Sequence, residues 1–391
     1  MAKGETTKRS DLNARHLAAR LQSVGVSQLA EEEEVWAIVD PCELRKPYAR
    51  RMESLMKVRS LEKGKTVPGY RTLNVLGVGR GGKRGVLYHR LFSSREKGFR
   101  SESAQVQEAL RSVGEALADK RGRVTYIVDS GFDDIALWAS VWEQGNHLVC
   151  RLKHRERWVE RWQGGAWRQV KVEEAALGVR ELARLETEME VRKRGQRAAK
   201  VQAVEVVVSA CLIRVSYQPG MREGTLGEVK TKEVWLVEVR IEDTSMEPWL
   251  LLTDRPVEDE GGAWTVFRMY RQRWAVEDAF KFTKEVLGWE DVQLLNLEGV
   301  RTLVALGWVA AGFLYELGVS LEWPEIRLLA RLGAWEERPN RPPGKIILTR
   351  GLQRLLDNMA TNAILADEIR RHGALPPRIA ALLGISQPPD N

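Results

Sequence analysis

The sequence predicts an α/β fold built on a mixed sheet. Three observations lead there: two separate buried-strand patterns that each stop on an aspartate, a glycine-turned hairpin between them, and a following alternation of helix and strand patterns. A change of texture, read as a mostly β insertion, and a charged helix complete the outline.

Residues 1–34 read as a short basic helical arm closed by the acidic run "EEEE". "VWAIVD" is then a continuous apolar strand that stops on Asp40. "YRTLNVLGVGRGGKRGVLYHRLFS" gives two strands around "RGGKRG", whose glycines suit a hairpin turn and lack the GK[ST] ending of a phosphate loop. "SESAQVQEALRSVGEALADK" is an amphipathic helix with Ser or Glu at its start. "RVTYIVDSGFDD" is a second buried strand ending on a carboxylate, Asp129, with Asp133 and Asp134 nearby as candidate helix caps. "DIALWASVWEQG" and "HLVCRLK" add a helix and a strand. That order is the layout of a ribonuclease-H-like mixed sheet with helices on both faces.

The texture changes over residues 154–247, where runs such as "AVEVVVSACLIRVSY" and "KEVWLVEVRI" alternate with charged segments. Between Arg151 and Glu205 there are 14 Lys/Arg against 9 Asp/Glu, so a mostly β insertion with a basic surface is expected. "WLLLTDRPV" returns as a strand and a charged helix follows. The uncharged run Thr302–Tyr315 is too short to span a bilayer and reads as a buried helix. The expected division is therefore 1–34 arm, 35–153 first part of the catalytic domain, 154–247 insertion, 248–320 second part, and 321–391 a helical tail reached through the linker "ERPNRPPGK". In the tail, "ILADEIRRHGALPPRIAALLGIS" suits either a helix–turn–helix or a packing or dimerising pair.

With 391 residues and 43% apolar content the chain can bury a large core, and 61 Lys/Arg against 54 Asp/Glu give a net charge of +7, which favours a polyanionic partner. Cys42, Cys150 and Cys211 are far apart, so neither a zinc site nor a disulfide framework is suggested. The N-terminus has no apolar signal core. A soluble, cytoplasmic protein without a membrane partner is expected.

Chemistry concentrates in "YRQRWAVEDAFKFTK". Tyr270, Arg273, Glu277, Lys281 and Lys284 recur at steps of 3, 4, 4 and 3, which on one helix is a single stripe. Such a stripe is commonly a solvated face laced by i,i+4 pairs, and an Asp after a strand is commonly a turn former. Together, Asp40, Asp129 and Glu277 are the residue types that hold two hard divalent cations for phosphodiester cleavage. Asp40 would bridge both ions and Asp129 and Glu277 would each complete one.

Tyr270, Arg273, Glu277 and Lys284 also match Y-x2-R-x3-E-x6-K at every spacing. This resembles the YREK signature of DDE transposases of insertion-sequence family 4. "IVDPCELRKPYA" and "VDSGFDD" resemble the segments that hold that family's two aspartates, and the resemblance covers roughly residues 35–318. It implies Asp40, Asp129 and Glu277 as catalytic metal ligands, Mg²⁺ (two ions, with Mn²⁺ as substitute), and double-stranded DNA, both transposon ends and target, as partner. It also implies strand transfer through a hairpin intermediate and a nucleoid-associated homodimer. Arg273, Lys281 and Lys284 would grip phosphates and Tyr270 would bond one. Trp249, 21 residues before Tyr270, resembles a tryptophan that stacks on a flipped base, although a buried Trp at a strand start is equally readable. Only about 34 residues precede the first strand, so end recognition is expected from the insertion, from "ELRKPYARRMESLMKVR" or from the tail. Two rivals stand beside this reading: a domesticated, non-catalytic DNA-binding relative, and a structure-specific nuclease without strand transfer.

Overall fold

The computed structural model describes residues 13–62, 64–191, 200–220, 227–242, 244, 246–291, 293–294, 296–336, 343–376, 379–380 and 383. The expected linker therefore lies partly outside the described residues, and so does part of the expected basic insertion, including Arg192, Lys193 and Arg194.

Helix α1 (Ala14–Gln28) opens on Asn13, whose side chain accepts from the His16 N–H at 3.0 Å. Strands β1 (Val35–Arg45), β2 (Met56–Arg59), β3 (Thr66–Gly79) and β4 (Arg84–Phe92) follow, then α2 (Glu102–Ala116), β5 (Val124–Val128), α3 (Ile135–Glu143) and β6 (His147–Arg151). The next segment supplies β7 (Trp158–Gln163), β8 (Ala166–Lys171), the short α4 (Val172–Ala175), β9 (Glu181–Val191), β10 (Lys200–Tyr217) and β11 (Lys230–Ile241). Strand β12 (Trp249–Thr253), α5 (Glu260–Arg271), α6 (Trp274–Glu285) and α7 (Leu297–Ser320) close this part.

The strands form one 12-stranded mixed sheet in the order β2-β3-β1-β5-β6-β12-β11-β10-β7-β8, with β4 on β3 and β9 on β10. Among the described strands only β1–β5 and β5–β6 pair in parallel, and the central β5 is buried along its whole length, as a strand covered on both faces must be. The period of two then sorts side chains between two cores. Val35, Ala37 and Val39 join α2 and α3 on one face, while Trp36 and Ile38 join α5, α6 and α7 on the other. The mixed sheet with helices on both faces is thus as expected. The strands of residues 154–247 extend that same sheet, through β11 on β12.

Three local expectations are revised. β1 does not end at Asp40: it runs on to Arg45 because β3 continues to pair with it after β5 has stopped. Pro41, with no N–H to offer, falls where the β5 neighbour ends. The expected helix over 270–284 is two helices, α5 and α6, joined by a tightened turn in which Arg273 N–H donates to Tyr270 O at 3.1 Å and Ala275 N–H to Gln272 O at 2.8 Å. Helix α7 is longer than the uncharged run and only one face of it is buried; Val300, Val304 and Trp308 enter the core while Leu306, Val309 and Phe313 are exposed. By length and composition alone it could cross a bilayer. The glycine turn does close the β3–β4 hairpin, with Gly82 at φ +88°, a conformation open to glycine.

Residues 317–391 form a second compact unit. Within it α8 (Trp323–Leu332) and α9 (Lys345–His372) pack so closely that a Cβ on Gly351 would lie 1.8 Å from the Leu329 carbonyl oxygen. Gly373, at φ +80°, ends α9.

Candidate active site

Parallel pairing of β1 with β5 places Val39 level with Val128, so the next residues, Asp40 and Asp129, emerge side by side at the carboxyl ends of the paired segments. Alternation turns both toward the face that α5 and α6 cover, since Ile38 and Ile127, two residues earlier in each strand, belong to that core. Helix α6 brings Glu277 to the same place. Arg273, at its start, sets a guanidinium nitrogen 2.6 Å from Glu277 Oε1 and 3.7 Å from Asp40 Oδ2. The structure therefore brings Asp40, Asp129, Glu277 and Arg273 into one neighbourhood.

Its electrostatics are unbalanced. Burial, then the charge of Asp129, push the Asp40 carboxyl up to about 7; Arg273 opposes this and Glu277 adds to it. Asp40 accepts no hydrogen bond among the described residues, and Arg273 is its ion-pair partner at a long distance. The Arg273 Nε is itself buried without an acceptor. Asp129 is half-buried and accepts from the Gly131 N–H at 2.8 Å.

The other predicted residues divide. Lys284 reaches back to β1, donating to the Glu43 carbonyl at 2.5 Å and lying 3.5 Å from Glu290. Lys281 is exposed on the outer side of α6. Tyr270 is buried rather than open to a phosphate, because it ends α5 instead of sharing a stripe with Glu277. Burial pushes its phenol up, while the positive charges of Arg273 and of Arg151, at the end of β6, oppose this. Trp249 is 2% exposed, with its ring covered by Phe267, Tyr270 and Trp274 at centroid distances of 6.3, 5.4 and 5.5 Å. The ring face expected to take a flipped base is therefore closed, and the indole of this nest that meets solvent is Trp274, 38% exposed. Of the two candidate caps, Asp134 does cap α3, accepting from Ala136 N–H at 2.9 Å, whereas Asp133 binds the start of the insertion.

Arg151 is a further residue of this neighbourhood that the sequence does not single out. It closes "HLVCR", the third buried strand, and stands out only once Tyr270 is placed near it.

Among the described residues no three His, Cys, Asp or Glu side chains stand close enough to chelate a metal ion together. The expected two-ion geometry is thus not formed by these side-chain positions, in which Arg273 lies against two of the carboxylates. The donor set still fits a hard divalent cation: oxygens only, more negative charge than one guanidinium neutralises, and a buried carboxylate pushed toward its neutral form. Asp40, Asp129 and Glu277 would hold it.

No curated protein matches the chain significantly. A family model described as a transposase DDE domain matches residues 96–311, more than half of the chain. The matched span takes in Asp129, the insertion, Glu277 and most of α7, and begins after β1 and Asp40.

Proposed function

The chain belongs to the transposase DDE-domain family, and from that premise we propose that it cuts transposon ends and joins them to target DNA with Asp40, Asp129 and Glu277 as its metal-holding carboxylates. Membership brings a DNA substrate and a dependence on divalent metal; Mg²⁺, with Mn²⁺ as substitute, is the ion proposed. The observation that carries the assignment is the convergence of Asp40, Asp129 and Glu277 from β1, β5 and α6, with Asp40 pushed up to about 7 by burial and by its acidic neighbours.

A bound divalent ion would supply Lewis acidity, activating water and stabilising the departing oxyanion of the phosphodiester. The chain's own groups do the rest. The three carboxylates would hold that ion beside the sheet, and cationic side chains would meet the phosphate. Arg273, released from Glu277 and Asp40 when their charge is met otherwise, offers its planar fork to a phosphate. Lys281 supplies a point charge on the open side of α6, and Lys284, anchored on Glu43, holds β1 against α6. Water attack at phosphorus breaks the P–O3′ bond and leaves a 3′-hydroxyl, which is then the nucleophile for joining. The Y-x2-R-x3-E-x6-K spacing supports placement in insertion-sequence family 4, a hairpin intermediate and a homodimer on DNA.

The test is incubation with Mg²⁺ and the ends of the element that encodes the chain. Cleavage followed by joining supports the proposal. No cleavage would assign a domesticated binding protein, and nicking without joining a nuclease.

A further inference from the structure

Three carboxylates repel a polyanion, so the affinity that holds DNA over them must come from cationic surface beside them. The segment that continues β1 past Asp40 has that character. From Arg45 to Lys65 there are eight Lys/Arg and two Asp/Glu, a formal +6 in a chain whose whole net charge is +7. Both acids are engaged: Glu53 accepts from the Leu297 N–H at 2.8 Å and Glu62 pairs with Lys65.

The basic residues fall into two sets. Arg45 and Lys46 are anchors: Arg45 lies 3.0 Å from Glu290, and Lys46 donates to the Trp289 carbonyl at 2.9 Å. Arg50 and Arg51 are exposed and have no ion pair among the described residues. They line an open cavity of about 560 Å³ together with the two anchors, and Tyr48 beside them is 87% exposed. Lys57 and Arg59 project from β2, the strand at the end of the sheet order, where side chains alternate between buried and exposed. The patch is tied to the carboxylates by a continuous chain of contacts, because Lys284 at the end of α6 touches Glu43 and Glu290, and Glu290 holds Arg45.

We propose that residues 45–65 clamp the backbone of duplex DNA on one side of the bond cut at Asp40, with Arg50 and Arg51 as the principal phosphate contacts. The inference rests on the transposase reading above and adds to it the surface that carries the substrate. Asp40 and Arg45 are separated along β1 by about 17 Å, at about 3.3 Å per residue. Guanidiniums left open suit this role, since their planar forks match phosphate oxygens.

The experiment is fluorescence anisotropy of a labelled random-sequence duplex, with EDTA present, across a range of KCl concentrations, using wild type and Arg50→Ala/Arg51→Ala. The double variant is expected to melt as wild type does and to bind roughly 10- to 60-fold more weakly near 0.1 M salt. Its log–log salt slope should be shallower by about 1.8, two phosphates' worth. Arg50→Lys/Arg51→Lys should recover most of the affinity. A double alanine variant that binds as tightly as wild type, with the same slope, overturns the clamp and leaves the catalytic reading intact. A wild type that does not bind duplex DNA overturns both.

Discussion

Asp40 and Asp133 are both buried aspartates with an arginine beside them, but their surroundings differ in kind. Asp133 accepts from the backbone N–H groups of Lys153 at 2.6 Å and His154 at 2.7 Å. Arg157 binds both its carboxylate and, at 3.2 Å, its carbonyl, and also lies 4.5 Å from the Trp138 ring centroid. Every charge there is met, and the result is a clip that fixes the chain between β6 and β7. Asp40 has Arg273 at 3.7 Å, no hydrogen bond among the described residues, and two further carboxylates nearby. Burial alone therefore does not mark a functional acid. Incomplete compensation does, because only an outside cation can complete it.

The largest effect expected from this contrast is on stability. Asp133→Ala leaves the half-buried Arg157 and the Lys153 and His154 N–H groups uncompensated, so denaturant unfolding should show a loss of about 3 kcal/mol. Asp40→Ala removes a poorly paired charge and should cost far less, or stabilise the chain at neutral pH. Equal losses for the two variants would erase the distinction. The aromatic nest beside the site offers a parallel contrast. Trp249→Ala should cost about 3–5 kcal/mol, as a core truncation does, while Trp274→Ala costs less than half of that. A Trp249→Ala chain with wild-type stability would show that this ring is not structural.

The pH dependence is of similar size. The folded-state pKa of Asp40, about 7, lies above the ordinary value of 3.8, so between those values the native chain binds more protons than the unfolded one. With metal chelated, Asp40 should thus lower stability as pH rises from 3.8 to about 7, by up to about 4 kcal/mol. Asp40→Asn should flatten that slope. An unchanged slope in the variant would show that another group causes it. The smallest effect belongs to Lys281, exposed on α6: Lys281→Ala should change stability by less than about 0.5 kcal/mol while weakening duplex binding a few-fold.

How far this was legible in the sequence follows from which forces are local. The apolar runs ending at Asp40 and Asp129 and the glycine turn between β3 and β4 are written in period and residue type, and the mixed sheet followed from their order. Gly164 and Gly165, at φ +59° and +86°, likewise turn β7 into β8, a two-glycine hairpin signal of the same kind. The break between α5 and α6 was not readable, because 270–284 holds neither Gly nor Pro and the turn there is a property of the folded chain. It moved Tyr270 out of the charged stripe and into the nest with Trp249. The run of β1 beyond Asp40 was hidden for a related reason: "CELR" looks like a loop until β3 is placed beside it. Arg151 was overlooked because one arginine after a strand says little until Tyr270 is seen against it.

The central claim is that Asp40, Asp129 and Glu277 form a divalent-cation site whose charge Arg273 only partly balances. Calorimetric titration of Mn²⁺ into wild type, Asp40→Asn, Asp129→Asn and Glu277→Gln tests it without any DNA. Each variant should lose more affinity than the roughly 10–100-fold that removal of an outer-shell partner costs. Wild type, but not Asp40→Asn, should also gain thermal stability with Mn²⁺, most at pH above about 7, where the carboxylate's unmet charge is largest. Wild-type affinity in Asp40→Asn, or no Mn²⁺ binding by the wild type, would contradict the account.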